Sequence, residues 1–167
     1  MTRERANVYE PEFHSDADRE GFRSRRAQVG RHAGSERLGL SVYELDPGNA
    51  TFPYHYHLGN EELLIVVRGR PHLRTPAGWR QLEEGDVVAF PASEKGAHQV
   101  ANRTDQSVRV LIVSEMAAPD VVVYPDSGKV GARGRAPGDR REGLRMTFRS
   151  TDQVDYWEGE QPPEVPS

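Results

Sequence analysis

Apolar and polar residues alternate in short runs through the middle of the chain. Residues 37–45, RLGLSVYEL, alternate with a period of two and stop at the turn Asp46-Pro47-Gly48. Residues 51–57 carry aromatics and histidines, and residues 62–68, ELLIVVR, end at Gly69. Residues 71–75 lead into Pro76-Ala77-Gly78, residues 79–83 into Glu84-Gly85-Asp86, and residues 86–90, DVVAF, stop at Pro91. Residues 97–102 and 107–114 complete the run. Eight short strands spaced about ten residues apart predict an all-β domain of the sandwich, jelly-roll or barrel kind.

The flanks read differently. Residues 1–25 are polar and charged, with scattered Phe13 and Phe22, and predict an arm with little structure of its own. No segment sustains an apolar period of 3.6, so no helix-turn-helix is expected before the barrel. Residues 121–124, VVVY, make one more strand, closed by Pro125-Asp126-Ser127-Gly128. Residues 129–143, rich in Gly and Arg, predict a mobile loop, and residues 144–148, LRMTF, a late strand. The end, from Glu158 to Ser167, is acidic and proline-rich and is expected to fray. The organisation expected is an arm over 1–30, a barrel over 31–126, and a C-terminal extension over 127–167 that packs on the barrel, pinned by Tyr156-Trp157.

Composition narrows the function classes. With 167 residues the chain fits one domain, which buries about 70% of its unfolded surface and needs no staple. There is no cysteine, which removes thiolate metal sites, thiol nucleophiles and disulfides. A net charge of -4 offers no positive field for nucleic acid or an anionic membrane. The first twenty residues hold no apolar run, and the longest aliphatic run, LLIVV, is too short to span a bilayer. A cytoplasmic protein with a small-molecule partner is the expectation.

Candidate chemistry gathers on histidine. On a strand, His55 and His57 of the triplet His55-Tyr56-His57 point the same way and can reach one ion. Glu62 follows at the start of the next strand, and His98 opens a later one. Each is common alone; together, three imidazoles and a carboxylate suit one divalent ion of Fe, Mn, Ni, Cu or Zn. Four such groups unpaired inside a barrel would cost a few kcal/mol each, and one ion satisfies all of them.

The spacing resembles a known family. Gly48, six residues, His55-x-His57, four residues, Glu62, six residues and Gly69 are similar to the first motif of the cupins. Gly85, five residues, Pro91, then Gly96-Ala97-His98, three residues and Asn102 are similar to the second. Gly48 stands one residue further from the first histidine than is usual, and the stretch from Pro91 to His98 is longer. The resemblance covers about residues 37–115 and implies a cupin-type jelly-roll β-barrel. It further implies His55, His57, Glu62 and His98 as metal ligands; the gap to Gly69 favours Glu62 over Glu61. Turn glycines fall at Gly69, Gly85 and Gly96, and structural positions at Pro91 and Asn102. The segments PDVVVYPDSGKVG and DYWEGE resemble small bacterial cupins of unassigned activity.

The remaining positions set further expectations. With His55 and His57 inward, Phe52, Tyr54 and Tyr56 fall on the outer face, and residues 62–68 are apolar on both faces. Such a sheet needs cover, from the chain's own termini or from a second copy, and a homodimer is expected. The rival is residues 121–157 folding back. His14, His32 and His72 read as surface positions, and the arginines at 133, 135, 140 and 141 as a solvated loop.

Three functions fit. The first is a metal-dependent enzyme on a small organic molecule, dioxygenase-like. The second is a sugar-phosphate isomerase or epimerase, which needs a cationic pocket for which Arg68 is a better candidate than Arg74 by strand parity. The third is a module that binds a metal or ligand without turnover. No catalytic base is evident beyond the ligands.

Overall fold

The computed structural model describes residues 5–135 and 143–163, and residues 15–17 by their backbone alone. In chain order the strands are β1 (His14–Ala17), β2 (Ser24–Ala27), β3 (Leu38–Leu45), β4 (Tyr56–His57), β5 (Glu62–Arg68), β6 (His72–Thr75), β7 (Gly78–Gln81), β8 (Val87–Phe90), β9 (Gln99–Ala101), β10 (Val108–Glu115), β11 (Asp120–Tyr124), β12 (Lys129–Arg133) and β13 (Arg145–Arg149). One short helix, α1 (Val29–Ala33), interrupts them. The strands form three antiparallel sheets, in the orders β1-β2-β3-β10-β5-β8, β13-β12-β11-β4 and β7-β6-β9.

The long alternating runs explain the large sheet. On β3, β5 and β10, every second side chain enters one core: Tyr43, Leu45, Leu64, Val66, Val108 and Val110. Leu73, Leu82 and Val100 meet them from the β7-β6-β9 side. Isolated bridges, Ala50 to Ala101 and His55 to His98, tie the segment after β3 to the neighbourhood of β9. Asn102, almost fully buried, donates to the Leu45 and Gln106 carbonyls and accepts from the backbone N–H and hydroxyl of Thr104. At Gly69 the backbone takes φ +80 and a Cβ would meet Val108 Cγ1 at 2.9 Å, so glycine is needed there for both reasons.

The chain departs from the sequence reading at six places. The N-terminal arm is ordered: β1 and β2 extend the large sheet through β3, and Ala27 and Val29 join Val42 and Leu111 in a second core on its outer face. Val8, Phe13, Ile65 and Val67 pack there too, so the apolar outer face of β5 finds cover from the N-terminal segment. Apolar residues bury wherever a partner surface exists, and Val8 and Phe13 suffice in an otherwise polar stretch.

Only Tyr56 and His57 of the stretch 51–57 are in a strand. Pro53 has no N–H for a ladder, so regular alternation fails before it. Phe52 accordingly packs against the inner core, edge-on to Tyr43 with ring centroids 5.3 Å apart, and not on the outer face. Arg68 also leaves its expected side. β5 partners β10 as Arg68 to Arg109 but Val66 to Val110, so Val67 is an extra residue and the bulge reverses the parity. Arg68 then bonds Glu44 on the outer face at 2.9 Å.

The Gly- and Arg-rich stretch after 128 begins as strand β12, paired residue for residue with both β11 and β13. Arg140 and Arg141 of that stretch lie outside the described residues, as does the tail after 163. Tyr156 and Trp157 do not pin the C-terminus: they stack edge to face on each other and are 82% and 71% exposed. His14 and His32 are exposed as expected, whereas His72 is half-buried in β6.

Candidate metal centre

Three segments distant in sequence deliver the site. His55 and His98 exchange backbone hydrogen bonds, His55 N–H to the His98 carbonyl at 3.2 Å and the reverse at 2.9 Å. That bridge sets the two imidazoles side by side, with centroids 4.7 Å apart. The longer stretch between Pro91 and His98 is taken up by a 3₁₀ turn, Glu94–Gly96. A Cβ at Gly96 would sit 2.1 Å from the Pro91 carbonyl oxygen, so only glycine lets this turn deliver His98. Glu62 enters from the first residue of β5 and His57 from β4.

Each imidazole is held through Nδ1. His55 Nδ1 donates to the Pro53 carbonyl at 2.8 Å and His98 Nδ1 to the Gly96 carbonyl at 2.9 Å. A carbonyl can only accept, so in both rings the proton is on Nδ1 and the Nε2 lone pair is left for the interior. His57 Nδ1 is 2.6 Å from Asp120 Oδ2. The donor atoms of His55, Glu62 and His98 lie within 4.8 Å of one another. His98 Nε2 is 3.4 Å, and His57 Nε2 3.6 Å, from Glu62 Oε2. Neighbouring donors on one ion stand about 3 Å apart at metal–nitrogen distances near 2.1 Å, so this spacing suits a metal. Of the four residues singled out from the sequence, the structure gathers His55, Glu62 and His98 into one group, and His57 meets it through Glu62. Glu61 is exposed at the surface.

Electrostatics follow from burial. Burial first, then the neighbouring imidazoles His98 and His57, push the His55 pKa down to about 3. Burial lowers His98 to about 4, against the Gly96 hydrogen bond. Both rings are thus neutral donors at neutral pH. Burial opposes a charge on His57, but the Asp120 hydrogen bond and the Glu62 carboxylate outweigh it and raise its pKa. Burial raises Glu62, tempered by His57 and the Ser114 hydroxyl. Asp120 is held low: burial works against its charge, yet His57, Asn60 and the Gly59 N–H prevail. Aromatic rings wall the centre. Phe90 stacks on His98 at 3.8 Å, and Tyr124 lies over His55 at 6.0 Å.

Asp120 is the residue that sequence reasoning missed. It follows no ligand spacing, and it stands 63 residues from His57. Pairing of β11 with β4, Val122 opposite His57, brings it to the ring. Its other oxygen accepts the Gly59 N–H at 3.0 Å and so anchors the loop between His57 and Glu62.

A family model described as the cupin domain matches residues 41–114, the span that contains both histidine segments and Glu62. Residues 41–114 are a cupin domain. Solved structures superpose on more of the chain than that span. A sugar phosphate isomerase of the cupin superfamily from Silicibacter pomeroyi aligns with a TM-score of 0.74 at 21% identity, over 89% of this chain and 94% of that one. A candidate sugar phosphate isomerase from Acidithiobacillus ferrooxidans gives 0.71 at 24%, over 81% of each. The polyketide cyclase RemF from Streptomyces resistomycificus gives 0.57 at 19%, over 70% and 82%. Different activities sit on this one fold, so the likeness is one of fold alone. No curated protein matches by sequence. No helix among the described residues is long and apolar enough to cross a membrane. Asp120 and the N-terminal strands lie outside the matched cupin span.

Proposed function

We propose that this cupin domain binds one divalent ion of Fe, Mn, Ni, Cu or Zn through His55, His57, Glu62 and His98 and catalyses a reaction of a small organic molecule there. The observation that carries the reading is the gathering of the neutral His55 and His98 rings, with His57 beside them, around the Glu62 carboxylate, each ring fixed by its Nδ1 bond. Bound ion would supply Lewis acidity and, if iron, manganese or copper, redox chemistry, with coordination positions left for substrate. His55 and His98 would contribute neutral donors, Glu62 the charge, and Asp120 the orientation of His57. Phe90 and Tyr124 narrow water's access to the rings. A dioxygenase-like reaction is the first reading. Isomerisation of a sugar phosphate, named for two of the structural relatives, is the second, and the arginines that line the same cavity as Glu62 favour it.

The test is elemental analysis of untagged protein beside the His98→Ala variant. Near-stoichiometric metal that vanishes in the variant is expected, and iron would direct the next step to oxygen uptake. Absence of metal after reconstitution would overturn the reading in favour of a module that binds ligand without a metal.

We also infer that the working unit is a homodimer. On β13, Met146 and Phe148 share a face with their β12 partners Ala132 and Val130, and that face continues to Val121 and Val123 of β11. Met146 is 54% and Phe148 43% exposed, an apolar sheet face of the kind that association covers.

A further inference from the structure

The pairing of β2 with β3 decides where the N-terminal arginines point. Arg26 is opposite Tyr43 and Arg25 opposite Glu44. Partners across a ladder share a face. Tyr43 belongs to the inner core, so Arg26 goes to the barrel interior, while Arg25 pairs with Glu44 outside. The guanidinium of Arg26 is held in place: Nε and Nη2 lie 3.2 and 3.1 Å from Ser41 Oγ, and its carbon stands 5.5 Å from the centroid of the Tyr43 ring.

This arginine lines a cavity of about 480 Å³, in the range of small-molecule sites. Arg31 of α1 lines it as well, together with Ser41, Tyr43 and Ser114. One wall is Glu62, the carboxylate of the metal centre. A single cavity is therefore lined by two arginines of the N-terminal segment and by Glu62. Two carboxylates line it: Glu62, engaged by His57 and His98, and Glu36, on the loop after α1.

Two guanidinium groups beside hydroxyls in a concave site match one ligand chemistry. A planar fork takes a carboxylate or phosphate through paired charge-assisted bonds, and a guanidinium already fixed by its neighbours loses little freedom in doing so. We propose that this cavity binds a small organic anion, its carboxylate or phosphate on Arg26 and Arg31 and its remainder extending toward Glu62. The proposal deepens the metal-centred reading and rests on it for the reacting end of the molecule. It also gives the N-terminal segment a task besides covering the outer sheet. The cationic group that a sugar-phosphate substrate would need comes from β2 and α1, since Arg68 is turned outward and Arg74 does not line this cavity.

The test is calorimetric titration of the metal-loaded full chain at constant ionic strength with two pairs of probes: glucose 6-phosphate against glucose, and succinate against succinamide. At least one charged probe is expected to bind about 10-fold or more tighter than its uncharged partner, and the preferred pair distinguishes phosphate from carboxylate. Arg26→Gln with Arg31→Gln should remove that preference while metal content stays unchanged. Because Arg26 also supports Ser41 and Tyr43, Arg31→Gln alone and Arg26→Lys serve as milder variants, each expected to weaken binding several-fold with the unfolding midpoint retained. Equal binding of charged and uncharged probes, or full charge preference in the folded double variant, overturns the proposal. A preference that depends on the metal and not on the arginines places the anion on the ion and overturns it too. An arginine-dependent preference in protein that holds no metal sustains the cavity and sinks the metal-centred reading instead.

Discussion

At the scale of single residues, the centre depends on what lies behind the rings. His55 and His98 are oriented by backbone carbonyls, which mutation cannot remove, whereas His57 is oriented by one side chain. Asp120→Asn keeps the size and a carbonyl oxygen but loses the charge that makes the Nδ1 proton strongly held. It is expected to weaken metal binding by about 10- to 100-fold, the usual cost of losing such a partner, with little change in the unfolding midpoint. Chelator competition measures it. Unchanged affinity in Asp120→Asn, with loss in His98→Ala, would mean that His57 is not a ligand and that the ion rests on His55, Glu62 and His98 alone.

At the scale of elements, the N-terminal strands are tied to the barrel by charge as well as by apolar contact. Glu44, 4% exposed on β3, receives Arg25, Arg68 and Arg109, and Arg109 also reaches the Tyr9 carbonyl at 2.7 Å. Removing the carboxylate leaves Arg109 buried beside two further cations. Glu44→Ala is therefore expected to cost about 3–5 kcal/mol in urea unfolding. Glu83→Ala, which breaks the exposed pair with Arg70, should cost no more than about 1 kcal/mol. The two pairs have the same chemistry, so equal losses would show that burial on β3 is not what gives Glu44 its weight. The bulge at Val67 belongs to this scale too: it is what brings Arg68 to Glu44 and takes it away from the interior.

At the scale of the whole molecule, the N-terminal segment occupies the outer face of the large sheet, while β13 and its neighbours present an exposed apolar sheet face. If a second copy covers that face, Phe148→Glu with Met146→Glu should convert a dimer to a monomer. Light scattering after size exclusion reads the mass directly. A monomer in the unmodified protein ends the proposal, and a dimer indifferent to both changes moves the contact to another face. Among the described residues, both termini flank the cupin span with strands of their own, so the barrel and its additions share sheets and do not form separate layers.

Local pattern was enough to read most of the barrel strands and turns and to single out four candidate residues, because alternation, glycine turns and ligand spacing are short-range features of a chain. His55, His57, Glu62 and His98 needed only the period of a strand and the resemblance of two motifs to be named together. What no local pattern carries is which distant segment lies beside which. Asp120 reaches His57 only through the pairing of β11 with β4, and Arg26 faces the cavity only through the register of β2 on β3. Arg68 was misplaced because parity is lost at a bulge that the sequence does not mark, and Phe52 because alternation stops at Pro53. Sequence by itself singled out the residues of the candidate centre; register, set by long-range packing, decided what stands behind them and what faces them.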